Sequence, residues 1–434
     1  MAKDTWYRVD NVAKVFLASA NERDTRSFRM SCTLKEDIDE EILGRAVLAA
    51  AKERPQYQVT ILRGFFWHYM EHTDDLPTVE KESTAPCPML IDRKTFGKLH
   101  YQISYYNNRI NLDFSHAIAD GNGAIEFLNL IVSHYLKLRY PGKYDTLLMT
   151  SGASEADLAQ DSFKQFYSSG RKYKSVSKTK RAYHIRGAKY PYHQTQFMEL
   201  HMPVKEVLTR AKALGVSLTS YVGAVLMTAI FKDMPVLMRN KPVTVSMPVN
   251  LRNYYPSKTS RNFFNSVNVS QNFRTDATLE EVAKKYQEDL KAQLTPEAVE
   301  EKMLNYEKME SELYIRLIPL FIKNPVVNAV NKKIAKSVTA VVSNLGVLKI
   351  PEEVSEDIES YSAFCSTSSL FVVLSTFRDD LVIGISNAYR NTQVLRDFVK
   401  HFTDEGIEIT LYSTEPYEEG AEIPKRKKEK KAKK

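Results

Sequence analysis

His116 and Asp120 stand four residues apart in Asp113-Phe114-Ser115-His116-Ala117-Ile118-Ala119-Asp120-Gly121-Asn122-Gly123, and the stretch from His116 to Gly121 spells H-x-x-x-D-G. An imidazole that is neutral near pH 7 can take the proton of an incoming nucleophile. A glycine after the aspartate permits a backbone conformation closed to other residues. The spacing alone arises by chance often enough that the flanking elements must decide. Residues 99–106 and 109–114 read as two β-branched and aromatic strands joined by the turn Asn107-Asn108. After the motif, Ile125, Leu128, Ile131, Val132, Tyr135 and Leu138 recur with a helical period. The imidazole is thus expected at a strand end, in a glycine-containing turn before a helix, where loops on a rigid scaffold carry function. An isolated His at such a place would simply be satisfied by backbone; the whole motif in this setting favours catalysis. Asp113 is a second candidate for an orienting carboxylate, although period-2 alternation leaves its direction open.

Two later segments bear on the same chemistry: Ser246-Met247-Pro248-Val249-Asn250-Leu251-Arg252 followed by Asn262-Phe263-Phe264-Asn265, and Val341-Val342-Ser343-Asn344-Leu345-Gly346. The second is an uncharged strand ending in Ser-Asn before a Gly turn, a place suited to hydrogen-bond donors and equally to an ordinary strand-end turn.

With these segments the chain resembles the H-x-x-x-D acyltransferases, the superfamily of chloramphenicol acetyltransferase, dihydrolipoyl acyltransferases, wax ester synthases, plant alcohol acyltransferases and peptide-synthetase condensation domains. It looks most like stand-alone bacterial alcohol acetyltransferase-like proteins, through the opening Trp6-Tyr7-Arg8-Val9-Asp10-Asn11-Val12-Ala13-Lys14 and the His motif, over about residues 5–415. The resemblance implies two chloramphenicol-acetyltransferase-like α/β domains of mixed sheets and flanking helices, meeting across a solvent tunnel. It implies His116 as general base without a covalent acyl-enzyme, and Asp120 turned away into a structural ion pair that holds the loop. Arg252 is the implied partner of Asp120, against the alternative of a surface Arg on a polar loop, and Asp113 is given no role. By the S-N-L-G match, Ser343 is the implied oxyanion donor, with Asn344 as a further oxyanion or pocket residue. The donor is implied to be an acyl-CoA whose pantetheine arm is held mostly by backbone, with no permanently bound cofactor.

A chain of 434 residues, 43% hydrophobic and 26% charged, is that of a globular protein with room for two cores. Of its net charge of +8, residues 425–434 carry +7 from eight bases and one acid. The body is therefore near neutral, and the tail is expected to be solvated and disordered. Weak contact with an anionic membrane through that tail is the alternative; no aromatic residues interleave the lysines, so nucleic acid is not an expected partner. Three scattered cysteines, Cys32, Cys87 and Cys365, show no metal or redox spacing and read as reduced structural thiols. His184, His193 and His201 match no zinc pattern. With no apolar leader and no apolar run near the roughly 18 residues of a membrane span, a soluble cytoplasmic monomer is expected.

Alternating elements divide the chain into a domain at 1–150 carrying the His motif, a polar crossover at 151–190, a second domain at 191–420 and the tail at 421–434. The first is expected to contain an extended segment at 27–33, a helix at 38–52 with Ile42, Leu43, Ala46, Val47 and Ala50 on one face, and a strand at 57–69. Phe65, Phe66, Trp67 and Tyr69 are expected to pack a sheet rather than wall a pocket. In the second, helices are expected at 203–214, from the Ser217 cap to Phe231, from the Thr278 and Glu281 capping box, and at 391–403. Residues 311–337 combine apolar and cationic faces in a way that invites a membrane-surface reading, but Pro319 and Pro325 are expected to break them into short helices packed on the sheet or lining an acceptor channel.

Three readings follow: an acyl-CoA-dependent O- or N-acyltransferase, a condensation-like enzyme taking its donor from an acyl carrier protein, and a non-catalytic binding module retaining the fold.

Overall fold

Every residue of the strand Ser27–Leu34 is buried, and its two edges explain the N-terminal half of the molecule. The structure, a computed structural model, describes residues 7–414 except 92–97, 148, 151, 167–179, 192–193, 274–276 and 312–316. The basic tail, Trp6, His193 and the middle of the expected crossover lie outside the described residues. In chain order the first elements are β1 (Tyr7–Arg8), α1 (Asn11–Ser19), β2 (Ser27–Leu34), α2 (Glu40–Glu53), β3 (Val59–Arg63), β4 (His68–His72), β5 (Val79–Lys81), β6 (Tyr101–Tyr106), β7 (Arg109–Ser115) and α3 (Gly121–Arg139). There follow α4 (Glu155–Ala159), α5 (Ser162–Phe166), β8 (Gln196–Pro203), α6 (Val204–Ala213), α7 (Leu218–Asp233), β9 (Val243–Asn250), β10 (Phe264–Gln271) and α8 (Leu279–Gln293). Last come α9 (Pro296–Ser311), α10 (Leu320–Ala335), β11 (Ala340–Val347), α11 (Glu352–Ser355), β12 (Ile358–Cys365), β13 (Leu370–Phe377), β14 (Asp380–Asn387), α12 (Gln393–Asp404) and β15 (Thr410–Ser413).

One sheet runs β12-β2-β7-β6-β5, and its apolar side chains share a core with Leu43, Ala46 and Val47 of α2 and Phe127, Leu128 and Ile131 of α3. The second large sheet runs β10-β9-β11-β13-β14-β8-β15, with β11 parallel to both neighbours, and packs against α6, α7, α8 and α12, while β1-β4-β3 form a small third sheet. Thus β12, from the C-terminal half of the sequence, pairs antiparallel with β2 and completes the N-terminal sheet, Phe364 standing opposite Arg29. Helix ends fall where side chains can cap them: Asp39 accepts from the Ile42 amide, Ser217 from Ser220, and Thr278 with Glu281 forms the expected capping box.

Three expectations need correction. Residues 57–69 are not one strand: Gly64 donates to the Trp67 carbonyl at 3.0 Å and reverses the chain between β3 and β4. Phe65 and Trp67 consequently sit on that turn, 63% and 46% exposed, instead of packing a sheet. Residues 320–335 form one helix, with Pro319 as N-cap and Pro325 inside it, and it packs on α1. A single proline removes only one backbone bond near the helix start, and the packing on α1 opposes that loss.

The two sheets are also joined by charge. Arg109 on β7 reaches Glu199 on β8 with two bonds of 2.8 and 2.9 Å, and His201 sits between Glu199 (2.8 Å) and Asp380 (2.9 Å). Although burial opposes protonation, the hydrogen bonds that the ring donates to Asp380 and Glu199 outweigh it and hold the imidazole up to about 9. The folded chain therefore keeps a proton that the unfolded chain releases near 6.5. This stabilisation is full below about 6.5 and is lost as pH rises through about 9. A His201→Gln variant is expected to be less stable than wild type at pH 6 in urea, with the gap closing by pH 9.5. An equal gap at both pH values would show that the proton contributes nothing.

Candidate active site

β7 delivers His116 to the end of the N-terminal sheet, and α3 begins immediately after it at Gly121. The helix needs an N-cap there, and Asp120 supplies it, its carboxylate accepting from the Gly123 amide at 3.1 Å. The same carboxylate receives Arg252 through Nη1 at 2.8 Å and Nη2 at 3.3 Å, and the Phe263 amide at 2.9 Å. Arg252 in turn donates to the carbonyls of Thr259 and Arg261 and to Asn250, so its whole fork is engaged. The ion pair is buried, both side chains being no more than 10% exposed. Asp120 and Arg252 therefore meet, and the pair clasps the start of α3 to the loop between β9 and β10.

Gly121 has a different role from the one its sequence position suggested. Its φ is not in the left-handed region; a Cβ there would lie 3.2 Å from both Leu345 Cδ2 and Met30 Cε. It admits side chains from both sheets, not an unusual backbone. At Gly123 the approach is closer still, since a Cβ would fall 2.1 Å from the Ser260 carbonyl oxygen.

The imidazole of His116 is held between two phenylalanine rings, Phe16 of α1 at 4.8 Å and Phe28 of β2 at 4.3 Å between centroids. Its backbone is fixed as well. The amide donates to the Arg26 carbonyl at 3.0 Å, and the His116 carbonyl accepts from Asn262 Nδ2 at 2.8 Å. Arg26 holds a left-handed φ of 56°, a cost of the kind that clusters at functional sites. Asn262 also bonds Asp10, the N-cap of α1, so one amide ties α1, the His loop and the β9–β10 loop together. Nδ1 is buried against the Ala119 backbone and makes no well-formed hydrogen bond among the described residues. Nε2 faces Cys365 Sγ at 3.9 Å.

Burial pushes the His116 imidazole down to about 4; the Asp120 charge acts against this and the Arg26 charge with it. The ring is therefore neutral across the physiological range. Burial also raises the Cys365 thiol well above its usual range, so it remains a protonated, weak nucleophile.

A pocket of about 530 Å³ lies over this group, lined by His116, Asp120, Gly121, Arg252, Ser343 and Asn344 together with Phe16, Arg26, Phe264 and Cys365. Residues from both sheets thus share one cavity. A second pocket, of about 320 Å³, adjoins it at Ser366, which lines both. Ser343 is half-buried and its hydroxyl has no protein partner among the described residues. Asn344 is committed elsewhere: Nδ2 donates to Thr219 Oγ1 at 2.7 Å, and the side-chain oxygen accepts from the Gly346 amide at 2.7 Å. It borders the pocket with its oxygen and one of its two Nδ2 hydrogens already engaged. Asp113 points the other way, into a buried pair with Arg29 at 2.6 Å, and accepts from the Cys87 amide.

Phe16, Phe28, Arg26, Asn262 and Cys365 were not singled out from sequence. Only Asn262 stood in a segment already under suspicion; the others lie far from the motif in the chain and carry no local signature. Cys365, read as a structural thiol, is brought to Nε2 by the pairing of β12 with β2.

No protein-family profile matches this chain, and no curated protein does. Among solved structures it is similar to polyketide synthase associated protein 5 from Mycobacterium tuberculosis, at 14% identity and TM-score 0.59 over 91% of this chain and 96% of that one. It is similar to the TRI3 trichothecene 15-O-acetyltransferase from Fusarium sporotrichioides, at 13% identity and TM-score 0.59 over 93% and 95%. It is also similar to the first condensation domain of the CDA synthetase, at 13% identity and TM-score 0.57 over 93% and 95%. The fold is thus the chloramphenicol-acetyltransferase-like α/β fold that condensation domains and this acetyltransferase share.

Proposed function

We propose that the protein transfers an acyl group from an acyl-CoA thioester to an alcohol or amine, with His116 as general base. The observation that carries this reading is a neutral, sterically fixed imidazole in a pocket built by both sheets, its motif aspartate withdrawn into an ion pair. The acceptor O–H would donate to Nε2 in the place that Cys365 now faces. As the oxygen attacks the thioester carbonyl, His116 takes the proton, and the tetrahedral oxyanion accepts from the Ser343 hydroxyl. Collapse expels the thiolate, which takes the proton back from the imidazolium. The low basicity of the ring suits this last step, because its conjugate acid readily protonates the leaving sulfur. The high pKa of Cys365 favours direct transfer over an acyl-cysteine intermediate.

A donor borne by a carrier protein is the second reading, favoured by the likeness to a condensation domain and to a polyketide synthase associated protein. Thiol release from acetyl-CoA with a panel of alcohols and amines separates the readings. Turnover without a carrier supports the first. Turnover only when the acyl group is presented on a carrier supports the second, and none with either leaves a non-catalytic module.

Ser343→Ala is expected to lower kcat by about 10²–10³-fold and change KM much less, as when a bond is made chiefly in the transition state. An unchanged kcat would transfer the oxyanion role to backbone amides near Gly121.

A further inference from the structure

α10 is inverted with respect to an ordinary surface helix. Ile322, Val326, Val330 and Ile334, spaced four apart along one face, are 46–57% exposed, whereas Asn324, Asn328 and Asn331, together with Leu320, Lys323 and Val327, are the more covered positions. A helix solvated by water alone would show the opposite pattern. At its start Phe321 stands 6.1 Å from the exposed ring of Phe65, and Leu320 donates to the Phe65 carbonyl, so the apolar face continues onto the β3–β4 turn and Trp67. The helix contains no acidic residue. It carries Lys323, Lys332 and Lys333, with Lys336 next in line, and the last three have no carboxylate partner among the described residues. Apolar side chains flanked by unpaired lysines and an interfacial tryptophan are complementary to one kind of surface, a lipid layer with anionic headgroups. No single helix among the described residues is long and apolar enough to cross a membrane, so the helix would lie on the surface.

We infer that α10 and the Phe65–Trp67 turn form a docking face for an anionic membrane. α10 packs on α1, and α1 carries Phe16 against His116, so the face lies one helix away from the pocket. The inference does not depend on the transfer reaction, because its readout is binding.

The test uses the full-length chain with phosphatidylcholine vesicles, with and without phosphatidylglycerol, measured by co-sedimentation and by Trp67 fluorescence in a Trp6→Phe background. Binding is expected only with phosphatidylglycerol, with a blue-shifted Trp67 emission. The double substitution Val326→Glu and Val330→Glu is expected to abolish both signals. Replacing Lys332 and Lys333 by Gln should weaken binding about fivefold per lysine, and this milder variant decides the matter if the glutamates impair folding. Acyl transfer between soluble substrates should be unchanged in all of them. Three outcomes overturn the inference: no vesicle binding by the wild type; binding insensitive to the α10 variants and lost on deleting residues 425–434; or a dimer that the Val326→Glu variant dissociates without any effect on vesicles.

Discussion

His116→Ala is expected to lower kcat by about 10²–10⁴-fold, the usual worth of a positioned general base. The loss should fall on kcat, because the Phe16 and Phe28 rings and the pocket walls that bind substrate remain. A companion measurement gives the assignment its specificity. With the imidazole held near 4, the acid limb of kcat/KM in the wild type should appear well below the 6.5 of an ordinary histidine. Activity should therefore be nearly flat between pH 8 and 6 and fall only as the pH approaches the ring's own value. Cys365→Ser is the control: it should retain most activity, since the thiol is neither ionised nor required to carry the acyl group. An acid limb near 6.5 would mean that burial does not depress the ring, and a loss of activity in Cys365→Ser equal to that in His116→Ala would transfer the chemistry to the thiol.

The second large effect concerns stability. Arg252→Ala removes the partner of a buried carboxylate and strands two further acceptors, the carbonyls of Thr259 and Arg261, while Asn250 keeps the bond from the backbone amide of residue 252. Breaking one side of such a pair typically costs about 3–5 kcal/mol. Asp120→Asn should cost less, because the one remaining side-chain oxygen still caps α3 at the Gly123 amide, although the bond from the Phe263 amide is given up. Denaturant unfolding of the two variants should preserve that order. Because Asp120 and Asn262 also fix the loop that bears His116, the arginine variant should lose kcat along with stability. A loss below about 1 kcal/mol for Arg252→Ala would mean that the pair is exchanged for water at little cost, and that the clasp holds nothing.

How much of this could be read from the chain varied with the range of the interaction. The strand, turn and helix around His116 were legible because hydrophobic period and turn chemistry act over a few residues. Helix caps such as Ser217 and Thr278 were legible for the same reason. The Asp120–Arg252 pair spans 132 residues and followed only from resemblance, and the residues that actually cradle the imidazole escaped altogether. Phe16 and Phe28 are ordinary apolar residues in their own elements; the fold alone makes them walls of a site. Gly121 illustrates the same limit, since a glycine demanded by neighbouring side chains looks identical in sequence to one demanded by its own backbone. The mixed apolar and cationic character of α10 was legible, but its continuity was not, because two prolines argue for short pieces until the structure shows one as N-cap and the other inside the helix.

The exchange of β12 into the N-terminal sheet constrains how this protein comes into being. Residues 27–34 must wait for residues 358–365, more than 320 positions later, before the outer edge of β2 is covered. At a synthesis rate of about 5–20 residues per second, that edge stays open for roughly 15–65 s on the ribosome. Until then this strand, buried along its whole length in the folded protein, presents unsatisfied amides and carbonyls, the kind of edge that recruits foreign strands. Nascent chains should therefore depend on holding factors throughout translation. Cutting the gene between the two halves should yield fragments that aggregate when made alone and become soluble only when expressed together.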